Sequence, residues 1–395
     1  MMRVLHLGKY YPPVPGGVEY FLADLLSALE RQGIATGALV HEVGVASTAG
    51  ASPNDVGPTV YHVPTLGRFF YVPISPAYLR WLNRCILEFR PDVLHLHLPN
   101  VSVFTALLSR RAQALPWVVH WHADVVRSRV DRRLAFAYHF YRPLEQRLLA
   151  TSAAVIATSP PYLQSSDALR PWRQRCTTIP LGLDASRLKA PGARETTDAE
   201  RLWGRTGLRV LSIGRLTYYK GHDILIQAMG MLPDARAIIV GTGDQASRLN
   251  ALIRKYGLQD KVTLWGDATP AALAALLASC DVFCLPSIER TEAFGLVLLE
   301  AMHFAKPLVV SDIPGSGTGW VVRQGGNGLL TNPGDASSVA SALRQLGENP
   351  ARRVALGRQG QEALETSFGI DAIAERVADI YETVLRTHPQ NLQGT

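Results

Sequence analysis

The strongest constraint on this chain is an alternation of short apolar segments with amphipathic ones. In Val18–Arg31, for example, the apolar residues recur with helical periodicity and fall on one helical face. The apolar segments of the first half, which we predict to be buried strands, are Val4–Leu7, Val93–Leu96, Trp117–His120, Val155–Ala157 and Thr177–Ile179. Buried strands separated by helices are typical of a parallel β-sheet that is covered by helices on both faces.

The alternation fades once and then restarts. Residues Leu181–Gly207 lack apolar periodicity and contain Pro191, Gly192 and a charged stretch, so we interpret this region as a linker. Further strand-like segments follow at Val210–Ile213, Ala237–Val240, Val262–Leu264, Val282–Leu285 and Leu308–Ser311. The 395 residues also exceed one ordinary domain. We predict two doubly wound, Rossmann-like α/β domains, residues 1–182 and 183–369, with a helix at 370–386 that packs back on the first domain.

Composition and charge limit the partners and the compartment. A formal charge of +7 suits an anionic partner, namely a nucleotide diphosphate, a nucleic acid or an anionic membrane surface. The four cysteines, Cys85, Cys176, Cys280 and Cys284, form no CxxC pair, so we expect a reducing compartment. Cys280 and Cys284 lie in a strand-like segment and are interpreted as core thiols. The first residues lack the apolar stretch of a signal peptide. No apolar run is long enough to predict a helix that spans a membrane.

Two glycine-bearing loops are predicted to approach an anion, because ligands of doubly wound sheets bind beyond the carboxyl ends of the strands. Gly16 and Gly17 lie between the first strand and the first helix, where a helix N-terminus favours anionic oxygens; a plain turn is the alternative. Gly214, Arg215 and Lys220 belong to the loop after the first strand of the second domain. Two cations there suit a diphosphate and would stabilise the charge of a leaving group; two solvated surface charges are the alternative.

A pair of acidic residues flanks the start of a later helix. Glu292 precedes a helix predicted to begin near Gly295, and Glu300, eight residues further on, lies inside it. Eight helical steps are slightly more than two turns, so both carboxylates can face the same side. The amides from Phe294 onward would be free donors at the helix start. Glu300 stands in an apolar segment and therefore needs a partner, for which a ribose diol and an arginine are the two alternatives.

Histidines mark the ends of two predicted strands. His122 ends the HWH segment and is predicted to bind a sugar hydroxyl, whereas His95 is interpreted as a satisfied histidine near the sheet. A metal site formed by His95, His97, His120 and His122 is the alternative. Our prediction is that the chain holds no metal.

One glycine-rich motif, taken alone, favours a dinucleotide cofactor. Residues 241–246 match G-x-G-x-x-A after a strand, which alone would indicate NAD. The motif follows the second strand of its domain, whereas the dinucleotide fingerprint belongs to the first. We therefore keep an NAD-dependent oxidoreductase only as an alternative function.

Taken together, these motifs resemble the retaining family-four glycosyltransferases of the GT-B fold. The resemblance spans nearly the whole chain; it is carried by PGGVE at 15–19, IPLGLD at 179–184, GRLTYYKG at 214–221, VGTGD at 240–244 and the E-x7-E element at 292–300. It implies two domains that face a central cleft, a nucleotide-sugar donor, and transfer with retention that needs no cofactor and no divalent metal. A nucleotide-sugar epimerase of the same fold and a non-catalytic binding protein are further alternatives.

The resemblance also implies residue roles. Glu292, His122, Arg215 and Lys220 would be catalytic. Arg215 and Lys220 would hold the donor phosphates, Glu292 would contact hydroxyls of the transferred sugar, and His122 would lie beside that sugar. The donor-binding set would comprise Gly16, Gly17, Gly214, Arg215, Lys220, Glu292, Phe294, Gly295 and Glu300, with Glu300 on the ribose.

One loop departs from the family pattern, and three segments of the chain indicate a subgroup of the family. Pro314–Trp320 contains no glutamate where the family often has Gly-Gly-x-x-Glu. The IERTEAFGLVLLEAM, GSGTGW and HWHADVV segments look most like bacterial mannosyl- or rhamnosyltransferases of surface polysaccharide assembly. This implies GDP-mannose as donor, a glycan or lipid-linked acceptor, no nucleic-acid partner, and a place in the cytoplasm at the inner face of the cytoplasmic membrane.

A basic and aromatic segment predicts contact with that membrane. Residues 127–149 mix arginines with aromatic residues, and more of both lie upstream; they are Arg127, Arg129, Arg132, Arg133, Arg142, Arg147, Phe136, Tyr138, Phe140 and Tyr141, with Phe69, Phe70, Tyr71, Tyr78 and Trp81. Such a mixture suits an interfacial surface. The alternative is a solvated helix whose aromatic side chains pack in the core.

Overall fold

A computed structural model describes residues 1–43, 57–69, 72–125, 132–204 and 207–388. The chain divides into two compact units, of which the first comprises Met1–Gly182 with the residues from Ile370 onward and the second comprises Leu183–Gly369. Within the described residues, no helix combines the length and the apolar character that crossing a membrane requires.

The first unit is built on a parallel sheet. Its strands are β1 (Arg3–Leu7), β2 (Ala35–His41), β3 (Thr59–Val63), β6 (Val93–Leu98), β7 (Trp117–Trp121), β8 (Ala154–Ala157) and β9 (Cys176–Thr178), and a short antiparallel hairpin adds β4 (Gly67–Phe69) and β5 (Val72–Ile74). The order in the sheet is β3-β2-β1-β6-β7-β8-β9. The order reverses between β1 and β6, the place where doubly wound sheets bind their ligands.

Helices cover this sheet. They are α1 (Gly17–Arg31), α2 (Tyr78–Phe89), α3 (Arg110–Gln113), α4 (Arg132–Thr151) and α5 (Pro160–Ser165), with 3₁₀ turns at Val101–Leu108 and Arg170–Arg175. The predicted apolar face of α1 is buried, including Phe21 and Leu25. Burying a side chain of this size stabilises the fold by about 1.5–3 kcal/mol.

The second unit repeats the architecture. Its strands are β10 (Leu208–Ile213), β11 (Ala235–Val240), β12 (Val262–Gly266), β13 (Val282–Leu285), β14 (Leu308–Ser311) and β15 (Gly328–Thr331), all parallel in the order β12-β11-β10-β13-β14-β15. Its helices are α6 (Ala193–Trp203), α7 (His222–Gly230), α8 (Ala246–Lys255), α9 (Pro270–Ser279), α10 (Leu296–His303), α11 (Thr318–Gly325), α12 (Ala336–Glu348) and α13 (Pro350–Ser367), with 3₁₀ turns at Ala185–Arg187 and Tyr218–Lys220. Here the reversal lies between β10 and β13.

The last helix belongs to the first unit although it follows the second in sequence. This helix, α14 (Ile370–Thr387), lies against α1. Arg31 of α1 binds Asp371 at 2.7 Å, and the buried face of α14 includes Val377 and Tyr381. A buried apolar face explains why the chain returns to the first unit.

The interpretation of 181–207 as a linker was wrong for the 11 residues that form α6. Residues Ala193–Trp203 form α6, which packs against α9. Trp203 is fully buried, and its indole N–H donates to Ser279 Oγ at 2.9 Å. The apolar face of this helix is short, with only Ala199 and Trp203 buried, and this explains why periodicity did not reveal it.

Candidate active site

The loops after β10 and β13 meet at the reversal point of the second unit. Lys220, at the end of the β10 loop, places Nζ 2.5 Å from Oε2 of Glu292 in the β13 loop. Both side chains are only about one-tenth exposed, at 12% and 10%. Ser287 Oγ also donates to Oε2 of Glu292 at 3.1 Å. The structure therefore brings together two residues that the sequence separates by 72 positions, as an almost buried ion pair.

Backbone contacts hold these two loops together. Ile288 N donates to the carbonyl oxygen of Tyr219 at 2.8 Å. Gly221 has a φ of 65°, and a Cβ there would collide with the carbonyl oxygen of Pro286. Only glycine combines that left-handed conformation with so close an approach. The glycine that ends the GRLTYYKG motif thus allows the β10 loop to lie directly on the β13 loop.

Arg215 and Gly214 occupy different positions in the β10 loop. Gly214 lies beside the Lys220 side chain, since a Cβ built on it would be 3.2 Å from Nζ. Arg215 is exposed, and its Nη2 donates to the hydroxyl of Tyr219 at 3.2 Å. Arg215 is thus the exposed cation of this loop, and Lys220 is the one that is paired with Glu292.

The region before α10 places its predicted residues in two environments. Gly295 is the N-cap of α10, close to the predicted helix start. Phe294 is 3% exposed, and its ring contacts that of Phe368 edge-on. The Phe294 side chain is therefore part of the core.

Glu300 has the arginine partner that the sequence left as an alternative. Arg187 Nη2 donates to Oε1 of Glu300 at 3.0 Å, and both side chains are about one-fifth exposed. Sequence reasoning missed Arg187, which follows the IPLGLD motif by three residues. Arg187 lies in a 3₁₀ turn, and its place in the sequence does not indicate a partner 113 residues away.

The loop that departs from the family pattern supports the Glu292 loop. Ser316 Oγ donates to the carbonyl oxygen of Glu292, and Gly317 N donates to that of Ala293 at 2.8 Å. Ser316 and Thr318 are buried. Sequence reasoning did not find this contact, because nothing local to residues 314–320 indicates which distant loop they touch.

The glycines of the G-x-G-x-x-A motif also serve a loop contact. Leu216 N donates to the carbonyl oxygen of Thr242 at 2.9 Å, and Gln245 N donates to that of Leu216 at 2.9 Å. A Cβ on Gly243 would collide with the backbone of Leu216. The close approach that these glycines permit is therefore taken by the chain's own β10 loop, which accounts for the motif without a dinucleotide.

In the first unit, Gly16 and Gly17 stand at the start of α1. Gly16 is the N-cap with an extended φ of 166°, and among the described residues no side chain caps this helix. A Cβ on Gly16 would meet only the flexible carboxylate of Glu19. The Glu19 carboxylate therefore occupies the space beside Gly16, and the backbone conformation at Gly16 does not require a glycine.

Five histidines lie on one face of the first unit's sheet. They are His6 on β1, His95 and His97 on β6, His120 on β7 and His122 directly after it, and each is at most 4% exposed. Phe21 of α1 contacts His120 and His122, while His95 Nδ1 lies 2.5 Å from the Tyr381 hydroxyl of α14. Burial lowers the pKa of His6 and of His122 to about 3, and it lowers that of the other three well below the ordinary value.

The histidine cluster is larger than predicted. His6 was missed because a single histidine in an apolar strand gives no pattern. Two sets of three histidines bring ring nitrogens within 4.8 Å of one another, namely His6 with His95 and His97, and His97 with His120 and His122. The structure thus assembles the residues of the metal alternative.

Comparison with known proteins decides the family. The profile of the glycosyl transferase 4-like domain matches residues 16–182, and that of glycosyl transferases group 1 matches residues 193–363. The D-rhamnosyltransferase WbpZ of Pseudomonas aeruginosa is 30% identical over 93% of this chain and 92% of its own length. The chain belongs to the glycosyltransferases.

Two further likenesses agree with this family. The O-antigen chain mannosyltransferase C of Escherichia coli is 28% identical to this glycosyltransferase over 98% of the chain and 100% of that protein. Sucrose-phosphate synthase from Thermosynechococcus elongatus superimposes with a TM-score of 0.80 at 21% identity, covering 98% of this chain and 100% of that one. The predicted GT-B fold and the predicted family are confirmed.

The histidine cluster of the glycosyltransferase leads to a prediction about metal dependence. Transfer activity should survive excess EDTA, because two of the cluster's nitrogen pairs are already joined by hydrogen bonds of 2.9 and 3.0 Å rather than spread around an ion. The measurement is turnover before and after chelation and dialysis. Complete loss that Mg²⁺, Mn²⁺ or Zn²⁺ restores would contradict the prediction.

Proposed function

We propose that this glycosyltransferase transfers mannose from GDP-mannose, with retention, to a glycan or lipid-linked acceptor of bacterial polysaccharide assembly at the inner face of the cytoplasmic membrane. The observation that carries the proposal is the Lys220–Glu292 pair at the reversal point of the second sheet, with Arg215 exposed in the same loop. Retention and the donor rest on the resemblance of the 214–221 and 292–300 motifs and on the names of the mannosyl and rhamnosyl relatives.

The pair suits a reaction whose leaving group is a diphosphate. An ammonium has three N–H donors, and Glu292 occupies one of those of Lys220, which leaves two for phosphate oxygens. Glu292 fixes where the cation stands, so little reorganisation is needed as charge develops on the leaving group. The remaining lone pairs of the Glu292 carboxylate accept hydroxyls of the transferred sugar in this proposal.

The other residues complete the proposed donor site. Arg215 supplies a second cation for the diphosphate, Gly16 and Gly17 approach it at the start of α1, and His122 contacts the sugar. Glu300 binds the ribose hydroxyls while Arg187 continues to balance its charge. A carboxylate offers about four lone-pair directions, so one arginine does not exhaust Glu300.

A donor screen tests the proposed function. GDP-mannose should raise the melting temperature more than UDP-sugars or NAD do, and ligand at ~100 times its Kd should stabilise the protein by about 2.7 kcal/mol. Product analysis with the same donor then separates transfer from epimerisation, because only transfer forms a new glycoside. Stabilisation by NAD alone would contradict the proposal.

We also propose that the enzyme binds anionic membranes through α4. Phe136, Phe140 and Leu144 are 67%, 64% and 43% exposed and recur every four residues, so they form one apolar stripe. The opposite side of α4 faces the core, where Glu145 is buried and the Tyr141 ring contacts Phe104. This segregation suits a helix that inserts its stripe into a lipid interface.

The basic part of the predicted surface is only partly described. Arg147 is exposed on the same side of α4 as the stripe, whereas the exposed Arg142 lies on the far side of the helix. Arg127, Arg129, Phe70 and Tyr71 lie outside the described residues, as do the side chains of Arg132, Arg133 and Phe69. Tyr78 was wrongly assigned to this surface, since it is 1% exposed and belongs to the core. The described stripe therefore carries the proposal.

Sedimentation with vesicles checks the membrane prediction. Wild type should pellet with anionic but not neutral vesicles, and added salt should weaken binding. Replacing Phe136 and Phe140 by Ser should lower the partition coefficient at least about tenfold, since each inserted ring contributes about 1.5–3 kcal/mol. The matched control is Leu87→Ser, which removes a 56%-exposed apolar residue of α2 and should change nothing. Equal binding to both vesicle types would contradict the proposal.

A further inference from the structure

Three of the buried histidines form a hydrogen-bonded chain. His6 Nδ1 lies 3.0 Å from Nε2 of His97, and His97 Nδ1 lies 2.9 Å from Nε2 of His122. The rings of His97 and His122 are within 12° of parallel with centroids 5.2 Å apart, so the bond runs from ring edge to ring edge. His120, by contrast, stacks face to face on His122 at 4.4 Å and 3°.

Counting protons leaves two neutral states for this chain. A neutral imidazole has one N–H donor and one bare acceptor nitrogen. Because both nitrogens of His97 are bonded, it must donate to one neighbour and accept from the other. All three rings are then protonated on Nδ1, or all three on Nε2. Burial lowers the pKa of each ring, which keeps the chain neutral at physiological pH.

The two ends of the chain have unused nitrogens. His6 Nε2 and His122 Nδ1 are buried without a hydrogen-bond partner among the described residues. In the first state His122 Nδ1 is a donor, and in the second it is an acceptor. An unpaired buried nitrogen costs about 1–3 kcal/mol, so a ligand hydroxyl at His122 would stabilise whichever state complements it.

We propose that His6 and His97 are positioning residues, which couple the tautomers of the three rings and so set whether Nδ1 of His122 donates to or accepts from a hydroxyl of the bound sugar. The identity of that ligand rests on the proposed function; the coupling itself does not. The chain differs from a metal centre, because a tetrahedral ion at about 2.0–2.1 Å needs nitrogens about 3.3 Å apart with converging lone pairs. Here the bonded nitrogens are closer than that and face one another.

Nitrogen NMR of the full chain, labelled with ¹⁵N-histidine, tests the coupling directly. His6, His97 and His122 should share one tautomer in the free protein, and saturating GDP-mannose should shift the signals of all three. Different tautomers among the three histidines, a doubly protonated His97, or a ligand effect confined to His122 would overturn the proposal. If no nucleotide sugar binds, the proposed donor fails, whereas the tautomers of the free protein still decide the coupling.

Amide variants separate positioning from packing. A Gln side chain reaches the position of a histidine Nε2 and an Asn that of Nδ1, so His97→Gln keeps the bond to His6 and His97→Asn keeps the bond to His122. We expect His97→Gln to lower kcat about tenfold with the donor KM within about twofold, and His97→Asn to retain more activity.

The matched control for these variants is His95→Asn. His95 stacks on His97 from the same strand face, but its Nδ1 is paired with the hydroxyl of Tyr381, which is not part of the hydrogen-bonded row of histidines. His95→Asn keeps that pairing and should retain wild-type kcat. Equal losses of kcat in His95→Asn and His97→Gln would show that the cluster acts only through packing, and would overturn the proposal.

Discussion

Removal of either cation of the β10 loop is expected to lower turnover at least about a hundredfold. Losing one charged donor to a developing anion typically costs about 3–4 kcal/mol of transition-state stabilisation. Arg215→Ala is the simpler variant to interpret, because the Arg215 side chain is exposed and its loss should change the free energy of unfolding little. Steady-state kinetics with GDP-mannose measures the effect, and Arg254→Ala, an exposed cation of α8 in the same unit, is the matched control.

Lys220 needs a second variant, because its removal also leaves a nearly buried carboxylate without its cation. Breaking such a pair destabilises by about 3–5 kcal/mol when one partner is lost, whereas removing both is much less costly. Lys220→Met should therefore lower both stability and turnover. The double variant Lys220→Met with Glu292→Gln should recover the melting temperature but not the turnover. Near wild-type turnover in Arg215→Ala and in the double variant would contradict the donor assignment.

The sequence predicted those parts of the fold that depend on local pattern. The ten predicted strand segments, the α1 face and the helix start near Gly295 follow from local apolar pattern and from glycine, both of which act over a few residues. Five described strands were not predicted, namely β2, β3, β4, β5 and β15. The α6 helix was not predicted, because only two of its residues, Ala199 and Trp203, are buried. A periodicity argument needs more apolar positions than a helix with so narrow a contact supplies.

The candidate site was predicted as a set of residues but not as a set of contacts. Sequence pattern brought out Lys220 and Glu292 separately, yet their pairing depends on the order of β10 and β13 in the sheet. Arg187 and Ser316 act through partners 113 and 24 residues away, and no local signal encodes such distances. His6 joins the cluster for the same reason, because β1 and β6 are neighbours in space but 91 residues separate His6 from His97.

The first unit is expected to lose stability steeply between pH 6.5 and 5. The buried histidines are neutral in the folded state, and burial lowers the pKa of His6 and His122 from 6.5 to about 3 and that of His41 to about 4. Below pH 6.5 the unfolded chain therefore binds more protons than the folded one. The stabilisation is fully present above pH 6.5 and is lost as the pH falls toward the folded-state values.

The effect is a large fraction of the stability of an ordinary domain. At pH 5 each of His6 and His122 costs about 2 kcal/mol, and His41, His95, His97 and His120 act in the same direction. Glu145 opposes them, since burial raises its pKa to about 7 and favours the folded state as the pH falls from 7 to 4.5. One carboxyl group does not offset six histidines when the whole stability of a domain is about 5–15 kcal/mol.

Urea unfolding at pH 7.5, 6 and 5, followed by far-UV circular dichroism, measures this loss, and His120→Phe identifies its source. Both ring nitrogens of His120 lack a hydrogen-bond partner among the described residues, so phenylalanine should be no less stable at pH 7.5. Because phenylalanine takes up no proton, the fall in unfolding free energy toward pH 5 should shrink by about 2 kcal/mol or less. A free energy that stays level from pH 7.5 to 5 in the wild type would show that the cluster is not held neutral by burial.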